Sequence, residues 1–561
     1  MTTLELQHFE RAAHEIAAHG DNDTLPFDLD VRFIRDKSDE LAQIAFGFYS
    51  ELRADPAKEN KTRLVGMPVY SERLIAPSGP NGFRVVTKIH PFWNIYLNGL
   101  AIAIAETIEP NRNERAHSYR FLPDGGDQLF DRDRSWRAFK EATIEQARHA
   151  GPDSVVVQTD ISSFYEHVSH HYVENFIGDL GGDSNIISAQ VNALLGQFSA
   201  KRSFGLPVGG QAARILAELF LSYVDNALST AGINWHRYVD DYVIIAEDTA
   251  EAYRALDVVA QSLLNYGLSL NKSKTVFLSS RHYQDYVAAQ LGHGDDEATK
   301  LRSIDLKFDP YSDNPEVDYE SLKETVESLE VRQLLNRELE KSLPDNFLVA
   351  QIGRTLRLHS PNVALEIATT LLSAANLHAF RASFSTIMRG IAHLRSQEEF
   401  AEIHERIDAL LDAVPEHSGH LLEVGTNRLH YLRCLRFSTN LHRKRYLQGL
   451  YEQTRSNALQ RACIDCWRNW HDRVAFNNLR NQWNQMPSDC QRAFWLATFS
   501  FGDEGLSARR QLTPALPHAW SLGTEPQIDQ QTRANGGHPR AAEPLFSDLY
   551  RDWANEVRDA N

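Results

Sequence analysis

The chain has 561 residues, 42% of them hydrophobic and 10% aromatic, with four cysteines and a net charge of -17. Such a length exceeds what one hydrophobic core normally serves, so two or three domains are expected, and the composition is that of a globular rather than a disordered protein. So few cysteines exclude a disulfide framework, and the acidic balance excludes a surface uniformly suited to phosphate backbones.

The opening "MTTLELQHFERAAHEIAAHG" reads as an amphipathic helix without the basic start and apolar block of a signal peptide, and residues 1–60 keep helical spacing. The apolar run "GLAIAIAE" is too short to span a bilayer, so no membrane partner and a cytoplasmic location are expected. Arg73 to Ile89 reads as strand, turn and strand around Pro-Asn-Gly. An apolar helix follows, then a short buried strand, "VVVQTDI", and a helical "SSFYEHVSHHYVENFI". After the Gly/Pro loop "SFGLPVGG" come a long helix, the hairpin "WHRYVDDYVIIAED", another helix and the short strand region "LSLNKSKTVFL". This order predicts an α+β domain over residues 61–310. An acidic run, "LKFDPYSDNPEVDYE", reads as a linker. Residues 311–510 read as successive helices without a strict repeat, and 511–561 as a poorly ordered tail with a terminal helix.

Two adjacent carboxylates, Asp240 and Asp241, interrupt an apolar run, and Asp160 ends an apolar strand eighty residues earlier. Acids at a hairpin turn are ordinary taken alone. A carboxylate at the end of a buried strand needs a partner, however, and neither segment offers an evident basic one. Three strand-borne carboxylates suit hard divalent cations that also touch substrate phosphates. Two such ions can activate an attacking hydroxyl and stabilise a departing pyrophosphate.

The ordered set "QTDISSFYEHV", "GLPVGGQAAR", "YVDD" and "GLSLNKSKTVFL" resembles motifs A to D of the reverse-transcriptase palm. The resemblance implies a right-hand polymerase in which Asp160, Asp240 and Asp241, with the Ile161 backbone, hold Mg2+, Mn2+ being the alternative. Tyr165, five residues after Asp160, matches the aromatic gate that excludes a 2′-hydroxyl, with Phe164 beside it, and a core aromatic is the competing reading. Gly205, Pro207 and Gly209 match the loop that lets backbone approach the incoming nucleotide, with Gln211 within reach. Lys274 matches the lysine that protonates the leaving pyrophosphate. Arg84 and Lys88 share one face of the second hairpin strand and could grip the triphosphate, with Arg73 competing for that role.

"AHSYRFLPDGGDQLFDRDRSWRAFKEA", the helix "ARILAELFLSYVDNAL" and the C-terminal "RACIDCWRNW…FWLATFSFGDEGLSARR" are similar to segments of bacterial abortive-infection, AbiK-like defence reverse transcriptases. That resemblance implies antiphage defence, dNTPs as substrates, homo-oligomers, and either untemplated DNA synthesis primed on a protein tyrosine or copying of a partner noncoding RNA. The priming residue is open among Tyr431, Tyr446, Tyr451 and Tyr550. Ala212 and Ala213 depart from the pattern where many relatives carry a serine. From Thr426 to Arg480 ten arginines and one lysine face three acids, a basic stretch inside an acidic molecule. Arg443, Lys444 and Arg445 are its candidate nucleic-acid contacts. Two weaker features remain. Cys463 and Cys466 read as two thiols one helical turn apart, and Arg436 with His442 carries the spacing of a nuclease pattern that chance supplies easily. A helical effector with a vestigial palm is the alternative of a different class.

Overall fold

The computed structural model describes residues 3–512, except 68, 127, 292–296, 305–321, 328 and 342–343, together with 549–550, 552–554 and 556. The expected linker and most of the tail lie outside the described residues. Four helices open the chain: Leu6–His19, Leu29–Asp36, Ser38–Arg53 and Ala57–Gly66. Strands β1 (Ser71–Ser78) and β2 (Gly82–Ile89) then form the expected hairpin, antiparallel from Ser71↔Ile89 to Ser78↔Gly82. The helix Pro91–Ile108 is buried almost all round, which explains its lack of a polar face.

The palm sheet has β3 (Val155–Asp160), β4 (Trp235–Tyr238), β5 (Asp241–Ala246) and β6 (Val276–Ser279) in the order β4-β5-β3-β6, every pair antiparallel. Its central strands are near-continuous apolar runs because helices cover one face and a second cluster around Phe139, Val243 and Tyr283 fills the other. The helix Gln211–Thr230 lies beneath the sheet, and the Asn98 side chain accepts the Ala212 N–H at 2.8 Å, supplying the cap that Gly210 lacks.

From Val331 to Leu512 the described residues are helices only, so the α+β domain followed by an all-α region is as the pattern predicts. One hydrophobic core runs from Leu4 to Ala554 through both. The helical region grips the hairpin: Thr426 Oγ1 donates to the Ile75 carbonyl at 3.1 Å and the Ala458 N–H donates to Glu72 at 2.8 Å. The four cysteines are free and buried, and Cys463 and Cys466 share the helix Asn457–Asn469, as the plain reading of that pair expects. No described helix is long and apolar enough to cross a membrane.

Candidate active site at the β4–β5 turn

Antiparallel register places Asp160, the last residue of β3, directly opposite Asp241, the first of β5. Val239 and Asp240 form the tight turn between β4 and β5, and the Ile161 N–H donates to the Asp240 carbonyl at 3.3 Å, which closes the junction. The motif D segment completes it. Asn271 N donates to the Asp160 carbonyl at 2.7 Å, its side chain donates to Asp160 Oδ2 at 3.0 Å, and Lys274 Nζ lies 2.9 Å from the same oxygen. Ser162 N pairs with the Ser269 carbonyl, and none of these backbone bonds uses the Ile161 carbonyl. Asp160, Asp240, Asp241 and Lys274, distant in sequence, therefore meet at one end of the sheet.

The electrostatics of this junction are unfavourable to three anions. Burial, then the charges of Asp160 and Asp241, push the Asp240 carboxyl up to about 7, and Asp240 shares a hydrogen bond with Asp160. Burial and Asp160 likewise raise Asp241, against Lys274 and Lys140. Burial works against the Lys274 ammonium, but the bond to Asp160 and the surrounding carboxylates outweigh it and raise its pKa. Among the described residues no three His, Cys, Asp or Glu side chains are drawn together as a complete metal cage, and Lys274 offsets the charge of Asp160. The donor set nonetheless fits a divalent cation, because hard carboxylate oxygens that repel one another are what such an ion requires.

A buried polar layer holds the turn in place. Val239 has φ +56°, a left-handed conformation costly for a β-branched residue. Both of its backbone groups are captured: the N–H donates to Ser118 Oγ at 2.9 Å, and the carbonyl accepts from Arg237 at 3.3 Å. Ser118 in turn donates to Glu218 at 2.5 Å. Arg237, fully buried, pairs with Asp225 at 2.7 Å and Glu218 at 2.8 Å, while Arg112 reaches Glu218 at 2.5 Å. Glu218 and Asp225 are seven residues apart on one helix and so share its inward face. The basic partner of Asp160 is Lys274, whereas strand alternation turns Arg237 away from Tyr238 and Asp241, toward the helix. Two acids in the apolar "LAELFLSYVDNAL", beside an arginine in an apolar strand, were the available signal.

Tyr165 is half-buried beside Tyr119, Glu218 and Arg214, and its carbonyl accepts the Leu206 N–H at 2.8 Å, which ties it to the motif B loop. Phe164, expected beside the gate, turns into the core. It is buried, edge-on to Phe220, and backs Tyr165 from the core. Gly205, at φ +98°, and the buried Pro207 line a cavity of about 140 Å3 with Arg73, Thr87 and Glu166. At Gly209 a Cβ would meet Asn22 Nδ2 at 2.0 Å, so its bareness makes room for the residues 20–28 segment. Gln211 points the same way, donating to Glu15 at 2.6 Å.

The hairpin faces are opposite to expectation. Arg84 and Lys88 do share a face, but the N-terminal segment covers it: Lys88 is buried between Asp21 at 2.7 Å and Asp28 at 2.8 Å, and Arg84 lies 3.9 Å from Asp23. Arg73, with Val85 and Thr87, faces the cavity at Gly205 and Pro207 instead. Arg443 is no nucleic-acid contact either, being buried against Asp412 at 2.5 Å and Asp408 at 3.3 Å. Lys444 pairs with Asp472 at 3.0 Å, and Arg445 is exposed. Among the tyrosines, Tyr431 is buried with its hydroxyl on the Leu411 carbonyl, and Tyr550 is buried against Phe33 and Trp553, so neither is accessible for priming. The Tyr446 hydroxyl is enclosed, and Tyr451 is half-buried. Arg436 lies 3.6 Å from Asp465, and His442 is exposed at the start of the next helix.

Residues 100–308 match the family model of the reverse transcriptase, an RNA-dependent DNA polymerase. The chain is also similar to solved structures of telomerase from Candida albicans in complex with a TWJ fragment of telomeric RNA (10% identity, 64% of this chain and 67% of that chain, TM-score 0.31) and of apo telomerase from Candida tropicalis (11% identity, 65% and 69%, TM-score 0.31). No curated protein matches it. The matched segment is a reverse-transcriptase domain containing Asp160, Tyr165, Asp240, Asp241 and Lys274, and the protein is an RNA-directed DNA polymerase, a nucleotidyltransferase.

Proposed function

We propose that this polymerase is a divalent-metal-dependent enzyme of antiphage defence that builds DNA from dNTPs at the β4–β5 turn. The observation that carries the catalytic part is the meeting of Asp160, Asp240 and Asp241 at one sheet end, with Asp240 raised to about 7 by burial and its two neighbours. In this reading the three carboxylates, with the Ile161 carbonyl, hold Mg2+ or Mn2+, which supplies Lewis-acid polarisation of the attacking hydroxyl and of the phosphates. Tyr165 closes the sugar pocket against a 2′-hydroxyl. Arg73 and Arg202, which line the cavity between the hairpin and the motif B loop, are the cations that would meet phosphate. Lys274 holds a proton at Nζ, charged and next to Asp160, and gives it to the departing pyrophosphate.

The defence assignment is supported by the motif resemblance and by an all-helical region docked on the hairpin. Template use separates two versions. Copying of an RNA accords with the matched family; protein priming would fall to Tyr451, since Tyr431 and Tyr550 are buried and the Tyr446 hydroxyl is enclosed. The test is incubation of nuclease-treated protein with labelled dNTPs and Mg2+, with and without RNA. Protease-sensitive product without RNA supports protein priming. Product only with RNA supports copying. Product that persists in an Asp240→Ala, Asp241→Ala variant refutes the site.

A further inference from the structure

Between the N-terminal loop at Leu25–Leu29 and two helices of the C-terminal region, Gly425–Leu435 and Asn457–Asn469, lies a cavity of about 270 Å3. Seven cationic side chains line it against two carboxylates, in a chain whose net charge is -17. Some of the positive charge is used: Arg461 pairs with Asp30 at 2.6 Å and Arg468 with Asp465 at 2.9 Å. Lys88 lies between Asp21 at 2.7 Å and Asp28 at 2.8 Å, Arg32 and Arg35 lie 3.7 and 3.5 Å from Asp36, and Arg436 lies 3.6 Å from Asp465. Arg433 has no carboxylate within ion-pair distance among the described residues and donates to the Phe27 carbonyl at 3.2 Å. The Nε–H groups of Arg436 and Arg461 are buried without a hydrogen-bond acceptor among those residues. Burial, then the neighbouring Arg436, lower the Arg433 pKa, so the cluster holds its charge at a cost. The remaining wall is apolar, from Leu25, Leu429, Leu432 and Ala462, and Phe27 stands 44% exposed at the rim.

An arginine without a carboxylate and two unsatisfied Nε–H donors, beside an apolar wall and an exposed ring, are the complement of one kind of small molecule. We propose that this cavity, separate from the β4–β5 turn, binds a nucleoside 5′-phosphate, its phosphate on Arg433, Arg436 and Arg461 and its base against Phe27 and the leucines. Guanidinium groups bond phosphate oxygens in pairs, and a ring at the rim gives a base a stacking face. Because the wall joins the N-terminal loop to the helical region, an occupied cavity ties the two together, which makes the bound nucleotide a ligand of the assembled fold rather than a substrate.

The test uses the full chain in chelator, with dAMP, deoxyadenosine and inorganic phosphate as probes in equilibrium dialysis. We expect dAMP to bind, phosphate to compete with it, and deoxyadenosine to bind at least about tenfold more weakly, the loss of charged hydrogen bonds being worth that factor. Arg433→Ala with Arg436→Ala should weaken dAMP at least about tenfold while extension of a primed RNA template stays within about twofold. Phe27→Ala, at an exposed position that leaves the arginines in place, should weaken dAMP severalfold without changing phosphate affinity. The proposal is overturned if dAMP does not bind, if the arginine and phenylalanine variants bind it as the parent does, or if only oligonucleotides engage these arginines, which would make the cavity a strand contact.

Discussion

Ser118→Ala removes the hydroxyl that accepts the Val239 N–H and donates to Glu218. Both groups are buried, so the change orphans an amide at about 1–3 kcal/mol and takes a donor from a carboxylate at a similar cost; the two overlap, and about 2–4 kcal/mol in total is expected. Val239 already sits in the left-handed region, which costs an L-residue roughly 1–2 kcal/mol, and it is held there by Ser118 and Arg237. With Ser118 gone the turn recovers that strain by abandoning positive φ, and Asp240 moves with it. A misplaced carboxylate lowers the chemical step, so kcat on oligo(dT)-primed poly(rA) with Mg2+ should fall roughly tenfold to a hundredfold, about 1.4 kcal/mol per decade, while KM for dTTP changes little. Hydrogen exchange at the Val239 amide should quicken in parallel, and Ser118→Cys, a weak donor and acceptor, should fall between. A kcat within twofold of the parent, or a change confined to KM, would refute the positioning argument.

Lys88→Met leaves Asp21 and Asp28 without their ammonium, Asp21 buried and Asp28 half-buried, and should destabilise the protein by about 3–5 kcal/mol in chemical denaturation, with no selective rise in KM for dNTP. A pure KM effect would restore Lys88 to the nucleotide site. Asp240→Asn, measured in chelator, should stabilise the protein above pH 7 by up to about 4 kcal/mol. The folded carboxyl is raised to about 7 over its ordinary value, so the parent loses stability as pH rises from about 4 to 7, and the advantage of the variant should vanish below pH 4. His117 and His236, 3.0 Å apart in a chain that runs on to Gln146, are lowered by burial to about 4 and about 3. Their contribution is present above pH 6.5 and is lost as pH falls toward 4, so thermal inactivation should accelerate at pH 5, less so in His236→Gln.

The palm was legible because its strands are short apolar runs bounded by turn residues, and because three acids in such runs have few structural excuses. The hairpin was legible from the turn chemistry of Pro-Asn-Gly. What the sequence hid was orientation. Alternation put Arg84 and Lys88 on one face, but only the fold shows that residues 21–28 cover that face and leave Arg73 on the cavity at Gly205 and Pro207. Similarly, the basic stretch from Thr426 to Arg480 looked like a strand-binding surface, yet Arg443 and Arg461 are neutralised by Asp408, Asp412 and Asp30, which lie outside it. Acids far away in sequence decide whether an arginine is a contact or a brace, and a linear count cannot see them. The Ser118–Glu218–Arg237 layer was hidden for the same reason, each member reading as an isolated polar residue in an apolar element.

The most direct measurement is extension of a DNA primer on an RNA template by the purified protein, with dNTPs against ribonucleotides, beside an Asp160→Ala variant shown by circular dichroism to be folded. The account predicts Mg2+-dependent extension with dNTPs, far slower extension with ribonucleotides, and loss of activity in the variant by three orders of magnitude or more, on the order of 4 kcal/mol or more of transition-state stabilisation. Extension by the variant at a rate near that of the parent would contradict it.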